Sequence, residues 1–187
     1  MKARSRFVII TTTLAALSIS AAAYAADWKL PGSGTVHFEV PKDSEETLSI
    51  KIEGDTSDVS VKDDGSKITV VTKLDCGGKS CIKTGIGVRD EHLHEHIEAK
   101  SFPKATLVID KSKLAPAGAK ASGDVPGELT FHGKTKSVTV HYTVEGGVAT
   151  GSTKFKLTDF GLERAKKMGV ATGKEVIITA KFKVSAG

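Results

Sequence analysis

The side chains best equipped for chemistry sit close together. In TGIGVRDEHLHEHIEAKSFPKATLVID, residues 84–110, three of the chain's six histidines, His92, His94 and His96, fall within five positions with acidic residues between them. Just upstream, LDCGGKSCI holds both cysteines, Cys76 and Cys81. Imidazole and thiolate are the usual zinc ligands, and histidine is the usual acid–base side chain near neutral pH. On a helix, His92 and His96 share a face one turn apart and can chelate a divalent cation, while His94 points away from them. A zinc site needs a third or fourth ligand, and the H-E-x-x-H order that would add a general base is absent. The expected role is therefore a solvated helix face that also carries Glu91, Glu95 and Glu98. Metal handling by His92 and His96, with His132 or the cysteines, is the alternative.

The cysteines depend on the compartment, which the start of the chain indicates. MKARSRFVIITTTLAALSISAAAYAADW has a basic opening (Lys2, Arg4, Arg6), an apolar run from Phe7 to Ile19, and small residues Ala23 and Ala25 around Tyr24. That is the pattern of a secretory signal peptide over residues 1–25, with an apolar run too short to remain as a membrane span. The mature domain is expected over 26–187, in the periplasm or secreted. In an oxidising compartment Cys76 and Cys81 read as a disulfide closing a tight glycine loop, a constraint of about 2 kcal/mol. A Cys/Cys/His metal site or a reactive thiol pair is the other reading. Removing residues 1–25, with three basic and no acidic side chains, lowers the formal net charge from +5 to +2. Nothing gathers basic residues into a nucleic-acid footprint.

The elements that must position these residues are mostly strands. In KSVTVHYTV the apolar residues are Val138, Val140, Tyr142 and Val144, and in EVIITAKFKV the even positions from Val176 to Val184 are all apolar. ETLSIKIE repeats the pattern with Leu48, Ile50 and Ile52. Each run predicts a strand with one buried and one wet face. Shorter versions occur at 35–40, 66–74, 105–110, 128–132 and 153–158, making about eight strands. Turn residues separate them at DDGS (63–66), PAGAKASGDVPG (116–127), EGG (145–147) and TGK (172–174). Short antiparallel strands in this number must close or split to hide their edges, so a barrel is expected and a two-sheet sandwich remains open. DEHLHEHIEAK breaks the alternation, since Leu93 and Ile97 lie four apart. It predicts one short helix near residues 90–99 with Asp90 as N-cap.

These motifs resemble those of the YceI-like family. Arg89, Asp90, His92, Leu93, Phe102, Pro103, Ala105 and Thr106 stand where that family has R-D-x-H-L, a short helix, and an aromatic before P-x-A-T. GELTFHGKTKSVTV resembles its G-x-L-T-x-x-G-x-T-K-x-V segment through Gly127, Leu129, Thr130, Gly133, Thr135, Lys136 and Val138, and FKLTDFGL resembles its late strand. The resemblance implies an all-β, antiparallel, lipocalin-like barrel that holds an isoprenoid chain in the bacterial periplasm, with no known catalytic reaction and no cofactor. Its partner would be a polyisoprenoid or similar apolar lipid, reached through at most transient membrane contact and without an integral span.

An eight-stranded barrel is just wide enough for one slender ligand. The candidate lining is the inward set Phe38, Ile50, Ile52, Val70, Leu107, Ile109, Phe131, Val140, Tyr142, Phe155, Leu157, Ile178 and Phe182. The same residues would fill a solid core equally well, and the sequence leaves that choice open. No nucleophile elbow, phosphate loop or paired-carboxylate motif points to an enzyme. A non-catalytic stress or interaction scaffold is the third reading.

Overall fold

The computed structural model describes residues 28–30, 32–115, 120–167 and 169–186. The signal peptide expected over 1–25 lies outside them. The strands are β1 (Trp28–Lys29), β2 (Gly34–Val40), β3 (Ser49–Ile50), β4 (Ile52–Thr56), β5 (Val59–Asp63), β6 (Lys67–Lys73), β7 (Lys104–Asp110), β8 (Lys120–Phe131), β9 (Lys134–Glu145), β10 (Val148–Lys156), β11 (Lys166–Lys167), β12 (Val170–Thr172), β13 (Glu175–Lys183) and β14 (Ser185–Ala186). Among the described residues the single α-helix, α1, spans Gly87–His96 between β6 and β7.

Nine strands form one sheet in the order β4-β2-β13-β10-β9-β8-β7-β6-β5, and every pairing within it is antiparallel. The two ends of that sheet are consecutive in the chain, and they close on each other. β2 pairs with β4 from Val40–Ile52 to Val36–Thr56. Continued unbroken, that register would set Ser33 opposite Val59, but Ser33 meets Ser60. One extra residue at Ser57–Asp58 thus bulges a single long strand, which β4 and β5 make together, and a bulge sharpens the bend that closure needs. The Val61 N–H reaches the Gly32 carbonyl at 3.3 Å across the seam. Counted this way, eight strands go round a nearly closed barrel. The remaining gap beside β4 is filled by the chain after β6, where Asp55 and Lys83 exchange backbone hydrogen bonds of 2.9 and 2.8 Å.

Alternation placed most strands correctly because one face is buried. In β9 the buried or half-buried residues are Val138, Val140, Tyr142 and Val144, and the rest are exposed. The β8–β9 hairpin turns on His132 (φ 47) and Gly133 (φ 70), the two positive-φ positions of a tight primed turn.

Three expectations are corrected. Residues 120–127, expected in a turn because of their glycines and proline, continue β8, pairing with β9 from Phe131–Lys134 to Lys120–Glu145. Pro126 stands just beyond the last β7 partner, Gly127, at the kind of edge where proline is tolerated. ETLSIKIE is not one strand: Leu48 is 62% and Ile50 43% exposed. There the chain has left the barrel sheet and β3 pairs in parallel with β12 instead, so Leu48 and Ile50 are left facing solvent. Finally, α1 begins three residues before Asp90, with Ile86 as N-cap. The Asp90 carboxylate instead accepts hydrogen bonds from the Thr84 N–H (2.8 Å) and hydroxyl (2.6 Å), tying the helix to the segment that leads into it.

Candidate functional site

The barrel encloses a cavity of about 220 Å³ whose walls are almost wholly apolar. Twelve of the thirteen expected lining residues surround it: Phe38, Ile52, Val70, Leu107, Ile109, Phe131, Val140, Tyr142, Phe155, Leu157, Ile178 and Phe182. Ile50 is the exception. It belongs to β3, which has left the barrel sheet, and faces solvent. Leu157 borders the cavity from a short 3-10 turn (Leu157–Phe160), not from a strand.

The interior is not filled by its own side chains. Leu107, Tyr142, Phe155, Ile178 and Ala180 pack against the buried clusters and border the cavity, yet keep partial exposure. In a close-packed core such residues would be fully buried. The cause is visible on β10, whose inward positions Ala149, Gly151 and Thr153 are small. Sequence reasoning concentrated on bulky residues and passed over these, although the run ATGST carried the signal.

One end of the barrel is covered. Phe160, 0% exposed, sets its ring edge-on to Phe155 at 5.1 Å and Phe131 at 5.6 Å between centroids. Over this cluster lie α1 and the loops on either side of β3 and β12. Arg164 binds Asp43 (3.1 Å) and Glu46, and Lys174 binds Asp43 (3.3 Å) and Glu45 (2.8 Å), so the two loops are held together by charge. The Asp43 carboxyl is held below the ordinary carboxylate range by the Glu45 N–H, then by Lys174 and Arg164, against the opposing effect of burial.

The three helix histidines have separate jobs, which corrects the expectation of a common solvated face. His92 is exposed. His94 is 5% exposed, and its Nε2 lies 2.7 Å from Asp75 Oδ1, joining α1 to the cysteine loop. His96 borders the cavity, and its Nε2 donates to the Glu163 carbonyl at 2.9 Å, which engages that ring nitrogen within the fold. His132 Nδ1 donates to the Phe160 carbonyl at 3.1 Å. Cys76 and Cys81 are joined in a disulfide. Among the described residues, the groups close enough to share a metal are Asp58 with the two cysteines, and His37 with Glu39 and Glu53 on the outer wall; neither includes a helix histidine. Lys51 already neutralises the second group, at 3.5 Å from Glu39 and 2.7 Å from Glu53.

The Asp75–His94 contact makes a pH prediction. The hydrogen bond from His94, followed by the Gly78 N–H, holds the Asp75 carboxyl below its ordinary 3.8, while burial opposes it. A depressed carboxylate stabilises the fold above its unfolded pKa and loses that contribution as pH falls through the folded one. Asp75→Asn is expected to lower the melting temperature at neutral pH by an amount that holds down to about pH 4 and shrinks below it. A difference that does not shrink in acid would show that Asp75 contributes shape and not charge.

Among the described residues no helix is long and apolar enough to cross a membrane. The fold matches that of a polyisoprenoid-binding domain from Saccharophagus degradans implicated in plant cell wall breakdown, with a TM-score of 0.62 at 15% identity, covering 87% of this chain and 99% of that one. BcnA of Burkholderia cenocepacia matches with a TM-score of 0.54 at 22% identity, over 82% of this chain and 96% of its own. In sequence, UPF0312 proteins of Pseudomonas putida strains GB-1 and KT2440 are 28% and 29% identical over 179 residues, 83% of this chain and 89% of theirs. The profile of the YceI-like domain matches residues 24–184, the whole barrel with its helix and covered end, and the chain therefore belongs to the YceI-like family.

Proposed function

We propose that the protein is an exported carrier that sequesters one apolar chain, an isoprenoid lipid or the tail of a quinone, inside its barrel. The observation that carries this reading is the set of inward side chains left half-buried around an apolar cavity. Enclosing a hydrocarbon chain there gains about 0.8 kcal/mol per CH2 group, so a long tail needs few polar contacts. The polyisoprenoid-binding domain of Saccharophagus degradans, which shares the fold, supports the same ligand class. The leader-like residues 1–25 and the Cys76–Cys81 bridge support an oxidising compartment, the periplasm or the exterior, with a mature chain beginning at Ala26. No reaction is part of this reading; the work is solubilisation and transfer, with transient membrane contact at loading and release.

The test is native mass spectrometry of protein purified gently from its host, followed by solvent extraction. The expected result is one lipid per chain, with the mass ladder of a polyprenyl compound. Protein that carries no extractable lipid and takes up no added prenol would end the carrier reading.

A further inference from the structure

Five glycines occupy inward positions on the barrel strands: Gly34 on β2, Gly54 on β4, Gly123 and Gly127 on β8, and Gly151 on β10. Four of them are already plugged by a neighbour. The Phe182 ring fills the space over Gly34. A Cβ on Gly54 would lie 2.6 Å from the Phe38 ring, one on Gly127 2.9 Å from Leu107 Cδ1, and one on Gly123 3.3 Å from the Tyr142 ring. At Gly151 the nearest atom is Val140 Cγ1 at 3.5 Å, an ordinary contact that leaves the space beyond it open.

The difference lies in which way one side chain turns. Tyr142 is the cross-strand partner of both Gly123 and Gly151. Its ring covers Gly123, and its hydroxyl accepts a hydrogen bond of 2.7 Å from the Ala115 N–H, which fixes it toward that side. On the other flank Gly151 pairs with Ala180, another small residue facing inward. The wall therefore has a recess at Gly151 and Ala180, opening onto the cavity that both residues border.

We infer that Gly151 sets how thick a chain the cavity admits, and that the recess it shares with Ala180 selects a methyl-branched chain over an unbranched one. This rests on the carrier reading. A polymethylene chain needs the same width throughout, whereas each methyl branch of an isoprenoid needs extra space at its own level, and the other inward glycines cannot supply it. Because Gly151 has no positive φ and a Cβ there makes only an ordinary contact with Val140, the backbone admits a side chain at this position, and its inward direction carries it toward the cavity.

Farnesol and dodecan-1-ol share a main-chain length and a hydroxyl end but differ in farnesol's three methyl branches and its three double bonds, so 3,7,11-trimethyldodecan-1-ol, the saturated form of farnesol, is run beside them to isolate the branches. Their affinities are measured by displacement of a fluorescent fatty alcohol from delipidated wild type, Gly151→Val and Ala180→Val, with thermal melts of each. Wild type is expected to prefer farnesol by about tenfold, equivalent to about 1.4 kcal/mol. Gly151→Val should lose most of that preference while its dodecan-1-ol affinity stays within about twofold and its melting temperature does not fall. Ala180→Val, which narrows the same recess from the next strand, should move the ratio in the same direction, and it decides the matter if the first variant does not fold. A wild type that binds farnesol beside variants that bind it equally well overturns this inference alone. A wild type that binds none of these alcohols overturns the carrier reading and the inference with it.

Discussion

Phe160→Ala is expected to cost about 3–5 kcal/mol of folding stability, a large share of what holds a domain of this size. Phe160 is completely buried, at the end of the turn that leads from β10 to the loop over the barrel end. Its ring meets Phe131 and Phe155 edge-on, an arrangement worth about 0.5–1.5 kcal/mol per pair beyond the burial itself. Its backbone carbonyl accepts from His132, so the same residue ties this turn to the β8–β9 hairpin. Phe155→Ala should cost clearly less, because Phe155 is half-buried beside space that already exists and its removal enlarges a cavity rather than creating one. Urea unfolding of both variants measures the contrast. If Phe160→Ala lost under about 1 kcal/mol, or no more than Phe155→Ala, the aromatic cluster would not be the anchor of the covered end.

Gly54→Val is the second large effect, about 3 kcal/mol or more, which for a chain of this length lowers the melting temperature by roughly 6–12 °C. The new Cβ would stand 2.6 Å from the Phe38 ring and 2.7 Å from the Lys83 carbonyl oxygen. A ring can turn aside, but Lys83 is held by its two backbone hydrogen bonds to Asp55, and those bonds close the last gap in the barrel wall. The strain therefore falls on the closure itself. Placed beside Gly151→Val, whose melting temperature is not expected to fall, the same chemical change at two inward glycines separates a plugged position from an open one. A melting temperature for Gly54→Val within about 2 °C of wild type would mean that the seam between β4 and the Lys83 segment yields readily.

Much of the barrel was legible because alternation is a local consequence of having one face in and one face out. β2, β6, β7, β9 and β13 appear where Val36 to Val40, Ile68 to Val70, Leu107 to Ile109, Val138 to Val144 and Val176 to Phe182 alternate with polar residues. Failures occur where the same local pattern meets a different surrounding. Leu48 and Ile50 alternate as well as any strand does, but the chain there has left the wall, and departure is not a local property. The glycines and proline of 120–127 resemble a turn in isolation, yet β9 supplies a full ladder of partners and Tyr142 supplies the bulk that Gly123 lacks.

The site divides in the same way. By itself the sequence determined an antiparallel all-β domain, the short helix, the cysteine loop and the identity of most residues around the interior, since each follows from residue types and short spacings. Pattern left barrel and sandwich both open, and the family resemblance favoured the barrel. Whether that interior is full or open was decided only by the tertiary structure. Gly34, Gly54, Gly123, Gly127 and Gly151 are the same residue in similar strands, and four are filled by Phe182, Phe38, Tyr142 and Leu107, side chains from other strands. The separate engagements of His94 and His96 likewise depend on Asp75 and Glu163, which the fold brings to the helix from outside it. A void is a property of several strands at once: its size depends on which neighbour turns toward which glycine, and that orientation is set by contacts between residues far apart in the chain.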